Sequence, residues 1–579
     1  MRIIFFSLIA FMSLSFAQST MDKVTNQLNS VIERTDSDEE LLVWVFFKDK
    51  GNTAQQYLEK PTSVVSEKSL KRRSKVLSED KLITETDLPV NLNYIEQVQT
   101  LGLKLKQKTK WFNGISGWAT KQQIVNISNL QIVEELDIVH KFKKDYIIEE
   151  DDGSHQINQN NNNLNKVNSF NYGQSLTQLN VINVPPVHNL GYTGEGVTIC
   201  MMDAGFDLLS HQVFSSMNII ATWDFVNGDA NVENHGDMGN GAHGTSTLSL
   251  IGGFYEGELI GPAFGADFIL AKTENTESET PVEEDNWIAA LEWADSIGVD
   301  VTSTSLSYTD FDPPFQGYTW QDMDGNTARI TIGADLAVKL GIFVVNSAGN
   351  YGYNPDHNTL GAPADGDSVI AVGSVTSGGG RSSFSSVGPS ADGRIKPDLM
   401  AMGSNNYVAC NWFTNCYSNN GSGTSWSCPM LAGAAALLLE LDPSLTPMEL
   451  RDVLRNTASR STNPDNLYGW GIINTNAAVQ SLLTSVDNQN VPENFVLLRN
   501  YPNPFNPSTK IQFSIPFQSN VKITLHDLLG REMKEIFNSE VEAGTHEMLL
   551  DGSELSSGVY LVRMITENIH KTIKISLLK

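Results

Sequence analysis

Cysteine is scarce, with four in 579 residues; that is too few for a disulfide framework, and no Cys and His spacing matches a zinc site. Cys200 and Cys428 lie among apolar and small residues, the setting of buried free thiols. Cys410 and Cys416 flank the short loop 411–415, which an exported protein could close as a disulfide. Positive charge is also short: 39 Lys and Arg stand against 67 Asp and Glu, for a net charge of -28. Nucleic acid and anionic membranes would repel such a chain and are excluded as partners. Long apolar runs are missing apart from residues 3–16, which fall short of the roughly 20 residues that span a bilayer. Arg2 precedes that run and Ser15-Phe16-Ala17 closes it, so a secretory signal peptide is expected over residues 1–17, cut before Gln18.

A single core stops growing near about 250–300 residues, so several units are expected here. The Asn-rich stretch 158–165 and the polar segment 485–494 cannot bury apolar surface and read as linkers. Before the first lies a charged segment, from Gln18 to about Asp152, with a strand-like run at 41–47 and the basic cluster Lys71-Arg72-Arg73. It brings together no nucleophile, base and acid, and reads as a folded accessory domain of small α+β type. After the second, residues 495–579 alternate apolar and polar positions, as at Val521, Ile523 and Leu525, with turns at 527–530, 543–544 and 556–558. A small β-sandwich is expected there.

Residues 169–484 alternate β-branched runs with helical patterns: a strand at 197–202, a helix at 287–297 feeding a strand at 299–306, then a helix at 328–340 and a strand at 342–346. Repeated βαβ units of this kind build a parallel sheet covered by helices, an α/β fold whose chemistry gathers at the carboxyl ends of the strands. Asp203 ends the first of these strands, followed by Ala204-Gly205, where the chain can turn sharply. His243 opens a helical run through residue 250, and Ser425 stands ahead of a long apolar helix reaching residue 441, with Pro429 in its first turn.

A serine hydroxyl is a weak nucleophile near neutral pH and needs an imidazole to take its proton, while a carboxylate fixes the imidazole tautomer. A helix start at Ser425 would offer amide groups to a developing oxyanion, and Asn350, after the strand at 342–346, supplies a second donor. Asp207, Asp224, His235, Ser427 and His211 have suitable chemistry but lie in polar loops or off the required position, and are read as structural.

Asp203-Ala204-Gly205, His243-Gly244-Thr245, Ala348-Gly349-Asn350 and Gly423-Thr424-Ser425, in that order, closely resemble the signature blocks of the subtilisin-like serine proteases. The resemblance implies a three-layer subtilisin-like fold and endopeptidase activity on protein or peptide substrates through an acyl-enzyme on Ser425. It assigns Asp203 and His243 as the other triad members, Asn350 as the oxyanion donor, and Ser305, Leu306 and Ser307 as one edge of the substrate cleft. Ser307 departs from the glycine usual there. An esterase of the α/β-hydrolase type would need G-x-S-x-G with acid and histidine after the serine, unlike this order; a catalytically inactive homologue is the other alternative. By the same resemblance, residues 18–168 are a propeptide that inhibits the enzyme until cut between residues 149 and 170; the strip from Trp44 to Lys50 looks like Bacteroidetes-type propeptides. Asn500-Tyr501-Pro502-Asn503-Pro504-Phe505-Asn506-Pro507 and the final strand resemble sorting domains of the type IX secretion machinery, implying export to the medium or outer cell surface. No cofactor is expected in catalysis; structural calcium is considered at Asp322, Asp324 and Asn326, where clustered oxygens also suit a plain acidic turn.

Overall fold

The computed structural model describes residues 22–51, 57, 61–139, 141–142, 169–234, 241–274, 282–306, 318–489, 496–501, 503–515, 518–541, 544–566 and 570–579. The signal peptide, the Asn-rich linker, nearly all of the maturation segment, His235, Ser307 and Ala543 lie outside them. Two compact units emerge, Met1–Val479 and Gln480–Lys579.

The first unit begins with an antiparallel sheet of β1 (Glu40–Phe47), β2 (Lys104–Thr109), β3 (Gly114–Thr120) and β4 (Val133–Ile138), ordered β2-β3-β1-β4. Strand β1 is buried along nearly its whole length. Leu41, Val43, Val45 and Phe47 pack with Ile95, Val98, Ile124 and Ile127 of the module's own helices. The alternate residues Leu42, Trp44 and Phe46 enter a second core with Trp287, Leu291 and Ala334. That two-sided burial is why β1 reads as an unbroken apolar run.

The central sheet has seven parallel strands: β5 (Thr198–Asp203), β6 (Asn218–Asp224), β7 (Asp267–Lys272), β8 (Val301–Thr304), β9 (Phe343–Ser347), β10 (Ile370–Val375) and β11 (Leu399–Met402). Their order is β11-β10-β9-β8-β5-β7-β6. Helices α2 (Glu284–Ile297) and α3 (Arg329–Lys339) share a core with one face through Cys200, Met202, Ile269, Ala271 and Val344. The other layer holds α1 (Ala242–Gly252) and α4 (Thr424–Leu441), which pack on each other and on the sheet. Helix α4 is long and apolar enough to cross a membrane, contrary to the expectation that no such stretch follows residue 16, but 83% of it is buried. Its apolarity serves a core enclosed on all sides.

Helix α5 (Thr475–Gln489) runs into the segment expected to be a linker from residue 485. Ala478, Val479 and Leu482 are buried along it, and the helix continues through the polar residues 485–489. In the second unit, strands Val496–Tyr501, Ser508–Ile515 and Gly544–Asp551 form one sheet, and Ser519–His526, Glu532–Val541, Gly558–Ile565 and His570–Leu577 a second. Ile511, Phe513 and Leu550 of the first share one core with Val521, Ile523, Val562 and Ile575 of the second, which makes a sandwich.

Candidate active site

Asp203, the last residue of β5, is fully buried. Its Oδ1 accepts from the Ala204 amide at 2.7 Å and faces His243 Nδ1 at 2.7 Å, while Oδ2 accepts from Thr247 Oγ1 at 3.0 Å. Held by these donors, the carboxylate orients the imidazole through Nδ1 and leaves Nε2 on the far side of the ring. The glycines of the two motifs explain the approach. A side chain at Gly244 would collide with the carbonyl oxygen of Gly205, so both glycines let the start of α1 rest on the turn after Asp203. Thr245 Oγ1 locks the arrangement by donating to the carbonyls of Asp207 at 2.7 Å and Gly241 at 2.8 Å.

Ser425 sits in the first turn of α4 rather than ahead of it, and Pro429 falls in the second turn. Gly423, at φ +150°, precedes the helix as its N-cap, so the helix begins at Thr424. Pro429 lacks the N–H that would pair with the Ser425 carbonyl. That carbonyl accepts instead from Ser305 Oγ at 2.9 Å, and Ser425 Oγ donates to the carbonyl of Ser305, also at 2.9 Å. The neighbouring Trp426 ring stands edge-to-face on His243, with centroids 5.0 Å apart and an interplanar angle of 83°. Asp203 and His243 thus meet at the carboxyl edge of β5, and the Trp426 contact sets the start of α4, which bears Ser425, beside them, 222 residues beyond Asp203 in sequence.

Asn350 follows β9. Its Oδ1 accepts from the Thr424 amide at 2.8 Å and from Thr424 Oγ1 at 3.0 Å, so its Nδ2 is turned toward the space beside Gly423. The donor end of the amide is therefore available where an oxyanion above Ser425 would form. Ser305 and Leu306 leave β8 beside Ser425, and Asn346 Nδ2 donates to the Leu306 carbonyl at 2.8 Å.

Asp207 receives the Asn234 amide at 2.8 Å and Asn411 Nδ2 at 3.2 Å, tying down the loop after β5. Ser427 Oγ donates within its own helix to the Thr424 carbonyl at 3.1 Å. His211 accepts from the Val213 amide through Nδ1 and meets the Cys416 carbonyl through Nε2. Cys410 and Cys416 are joined as a disulfide, while Cys200 and Cys428 are free and buried. Burial raises the Cys428 thiol to about 12, so it stays protonated beside the site. At the considered calcium loop, both Asp324 oxygens accept from Asn326 and Thr327, and Asp322 Oδ2 accepts from Thr319. Among the described residues no group of three His, Cys, Asp or Glu converges as a metal site. Sequence reasoning missed Thr247, Trp426 and the reciprocal pairing of Ser305 with Ser425; Thr247, one turn beyond His243 on the same helix face, was the one with a local signal.

The N-terminal module covers α2. Arg72 and Arg73, fully buried, pair with Asp295, and Arg73 also pairs with Asp87 at 2.7 Å. Arg72 donates further to the carbonyls of Val299 and Leu340, just past the ends of α2 and α3. Glu292 accepts from the Lys110 and Trp111 amides. After β4, Lys141–Phe142 pairs antiparallel with Val282–Glu283, immediately before α2.

Three families match the chain in succession: the peptidase S8 propeptide domain of Bacteroidota at residues 42–168, the subtilase family at 194–471, and a secretion system C-terminal sorting domain at 499–577. Subtilisin NAT from Bacillus subtilis subsp. natto is 34% identical over 53% of this chain and 72% of its own length. Subtilisin DY from Bacillus licheniformis is 32% identical over 52% of this chain and 97% of its own. A solved protease from Pseudoalteromonas arctica aligns at TM-score 0.42 and 22% identity, over 54% of this chain and 99% of that one. The sorting domain marks the chain for export, to be secreted or held at the cell surface. With its ordered motifs, its parallel sheet and these relatives, the chain belongs to the subtilase family of serine endopeptidases.

Proposed function

We propose that the chain is the precursor of a secreted endopeptidase in which His243 takes the Ser425 proton as the hydroxyl oxygen attacks a peptide carbonyl carbon. Asp203 stabilises the imidazolium that results, and Asn350 Nδ2 with the Ser425 amide donates to the oxyanion. Collapse of the tetrahedral intermediate passes the proton from His243 to the leaving amine and leaves an acyl-enzyme on Ser425. Water, deprotonated by His243, then hydrolyses that ester. Ser305 and Leu306, open chain beside the nucleophile, are the proposed edge for an extended substrate. The observation that carries the reading is the buried 2.7 Å contact of His243 Nδ1 with Asp203 Oδ1 beside the helix that bears Ser425.

The N-terminal module is assigned as the enzyme's own inhibitor. Its support is the ion-pair cluster of Arg72, Arg73, Asp87 and Asp295, fully buried across the boundary with α2. Treating the processed protein with a fluorophosphonate, mapping the label, and assaying casein beside a short-chain ester tests the activity. Label on Ser425 with casein cleavage is expected. Ester hydrolysis without proteolysis would favour an esterase, and an unlabelled protein an inactive homologue.

A further inference from the structure

Three charged side chains line up across three adjacent strands. Lys272, the last residue of β7, is in register with Asp203 of β5 on one side and Asp224 of β6 on the other. In-register residues of neighbouring parallel strands project to the same face, about 4.8 Å apart. The preceding residues Met202 and Ala271 face α2 and α3, so alternation turns Asp203 and Lys272 to the opposite side, where α1 carries His243 and Thr247. All three charged residues are wholly inaccessible to solvent.

The ammonium of Lys272 lies 3.1 Å from Asp224 Oδ2 and meets no well-aligned hydrogen-bond acceptor. Asp224 is not short of donors: its Oδ1 takes the Val226 and Asn227 amides and its Oδ2 takes Asn227 Nδ2. A buried lysine is therefore not needed to satisfy that carboxylate, and burying one is costly. Its strand lies between those of Asp203 and Asp224 and its ammonium pairs with Asp224, so it adds positive charge to a row of buried carboxylates in a medium of low dielectric.

We propose that Lys272 is a positioning residue of the catalytic site, whose ammonium, carried on the strand between those of Asp203 and Asp224 and paired with Asp224, keeps Asp203 ionised and sets the pH at which His243 becomes a base. The inference rests on the assignment of Asp203, His243 and Ser425 made above. The charged and titratable groups around His243 are Asp203 on β5, Lys272 and the buried Glu274 just beyond β7, Asp224 on β6, Asp207 in the loop after β5, and the Cys428 thiol on α4. Among the described residues Lys272 is the cation of this set; in the precursor Lys106 of the N-terminal module also acts on Asp224, and it is absent from the processed enzyme.

The test is the rate of fluorophosphonate labelling of Ser425 in the processed enzyme from pH 5 to 9, which reads deprotonation of His243 without peptide turnover. Removing the cation favours the imidazolium, so Lys272→Met moves the acid limb up by about 0.5–1 pH unit. Asp224→Asn moves it down by a similar amount, and the double variant returns it close to the wild-type position. Opposite shifts that cancel separate a field effect from a merely structural pair, which would lower the rate at all pH values without moving the limb. If Lys272→Met does not fold, Asp224→Asn against wild type carries the test. A labelled wild type whose variants keep the same limb overturns this inference alone; an unlabelled wild type overturns the assignment of the site, and this inference with it.

Discussion

The Ser425 hydroxyl donates to the Ser305 carbonyl, and the Ser305 hydroxyl returns a bond to the Ser425 carbonyl, both at 2.9 Å. Pro429 creates the need for the second bond by withholding a helical N–H. Ser305→Ala is expected to leave that carbonyl unpaired and to cost about 1–3 kcal/mol, read as a lower denaturation midpoint. Ser425→Ala keeps the carbonyl pairing but should abolish both casein cleavage and removal of the propeptide.

Asn350 has its acceptor end occupied by Thr424 and its donor end free for the oxyanion. Asn350→Ala should lower kcat on the order of a hundredfold or more with little change in KM, the size known for the corresponding donor in subtilisin. Steady-state kinetics on a peptide substrate checks the split.

Thr247 Oγ1 donates to Asp203 Oδ2 at 3.0 Å. Thr247→Val keeps the shape and removes the donor. About a tenfold fall in kcat is expected, for the loss of roughly 1–2 kcal/mol of orientation and charge stabilisation, with thermal stability nearly unchanged.

Asp295 takes both Arg72 and Arg73 out of water's reach. Asp295→Ala leaves the buried Arg72 guanidinium without a carboxylate and removes one of the two that pair with Arg73, and should cost the precursor about 3–5 kcal/mol. The processed enzyme, which no longer carries Arg72 and Arg73, should be spared. Comparing unfolding midpoints of precursor and processed forms, together with the yield of processed protein, distinguishes the two.

His188 is buried between Tyr172 and the Pro262 carbonyl, and burial lowers its pKa from 6.5 to about 4. The unfolded chain takes up a proton that the fold refuses, so stability is intact above about pH 6.5 and is lost as pH falls toward 4. The slope from this residue approaches about 1.4 kcal/mol per pH unit. His188→Gln should flatten that part of the stability curve measured by denaturant unfolding.

Much of the fold is legible in local pattern. The βαβ alternation, the turns around Gly205 and Gly423, and the alternating strands of the last unit each depend on residues close in sequence, where period and turn chemistry speak directly. Boundaries were less legible: polar residues 485–489 continue a helix whose burial occurs one turn earlier, and α4 begins at Thr424, with Gly423 as its N-cap. Nothing local in Lys71-Arg72-Arg73 shows that two of the three are internal, because their partner Asp295 lies more than 220 residues away.

The sequence, through its resemblance to the family, determined the order of Asp203, His243, Asn350 and Ser425, the residues proposed as acid, base, oxyanion donor and nucleophile, since each stands in a short block with a neighbouring glycine or threonine. Only the tertiary structure decided what surrounds them: the Thr247 bond to Asp203, the Trp426 ring on His243, the exchange between Ser305 and Ser425, and the row Asp203, Lys272, Asp224. The physical reason is that strand register and helix docking bring together side chains from distant segments, and a lysine at the end of a strand carries no local mark of the charges it will meet.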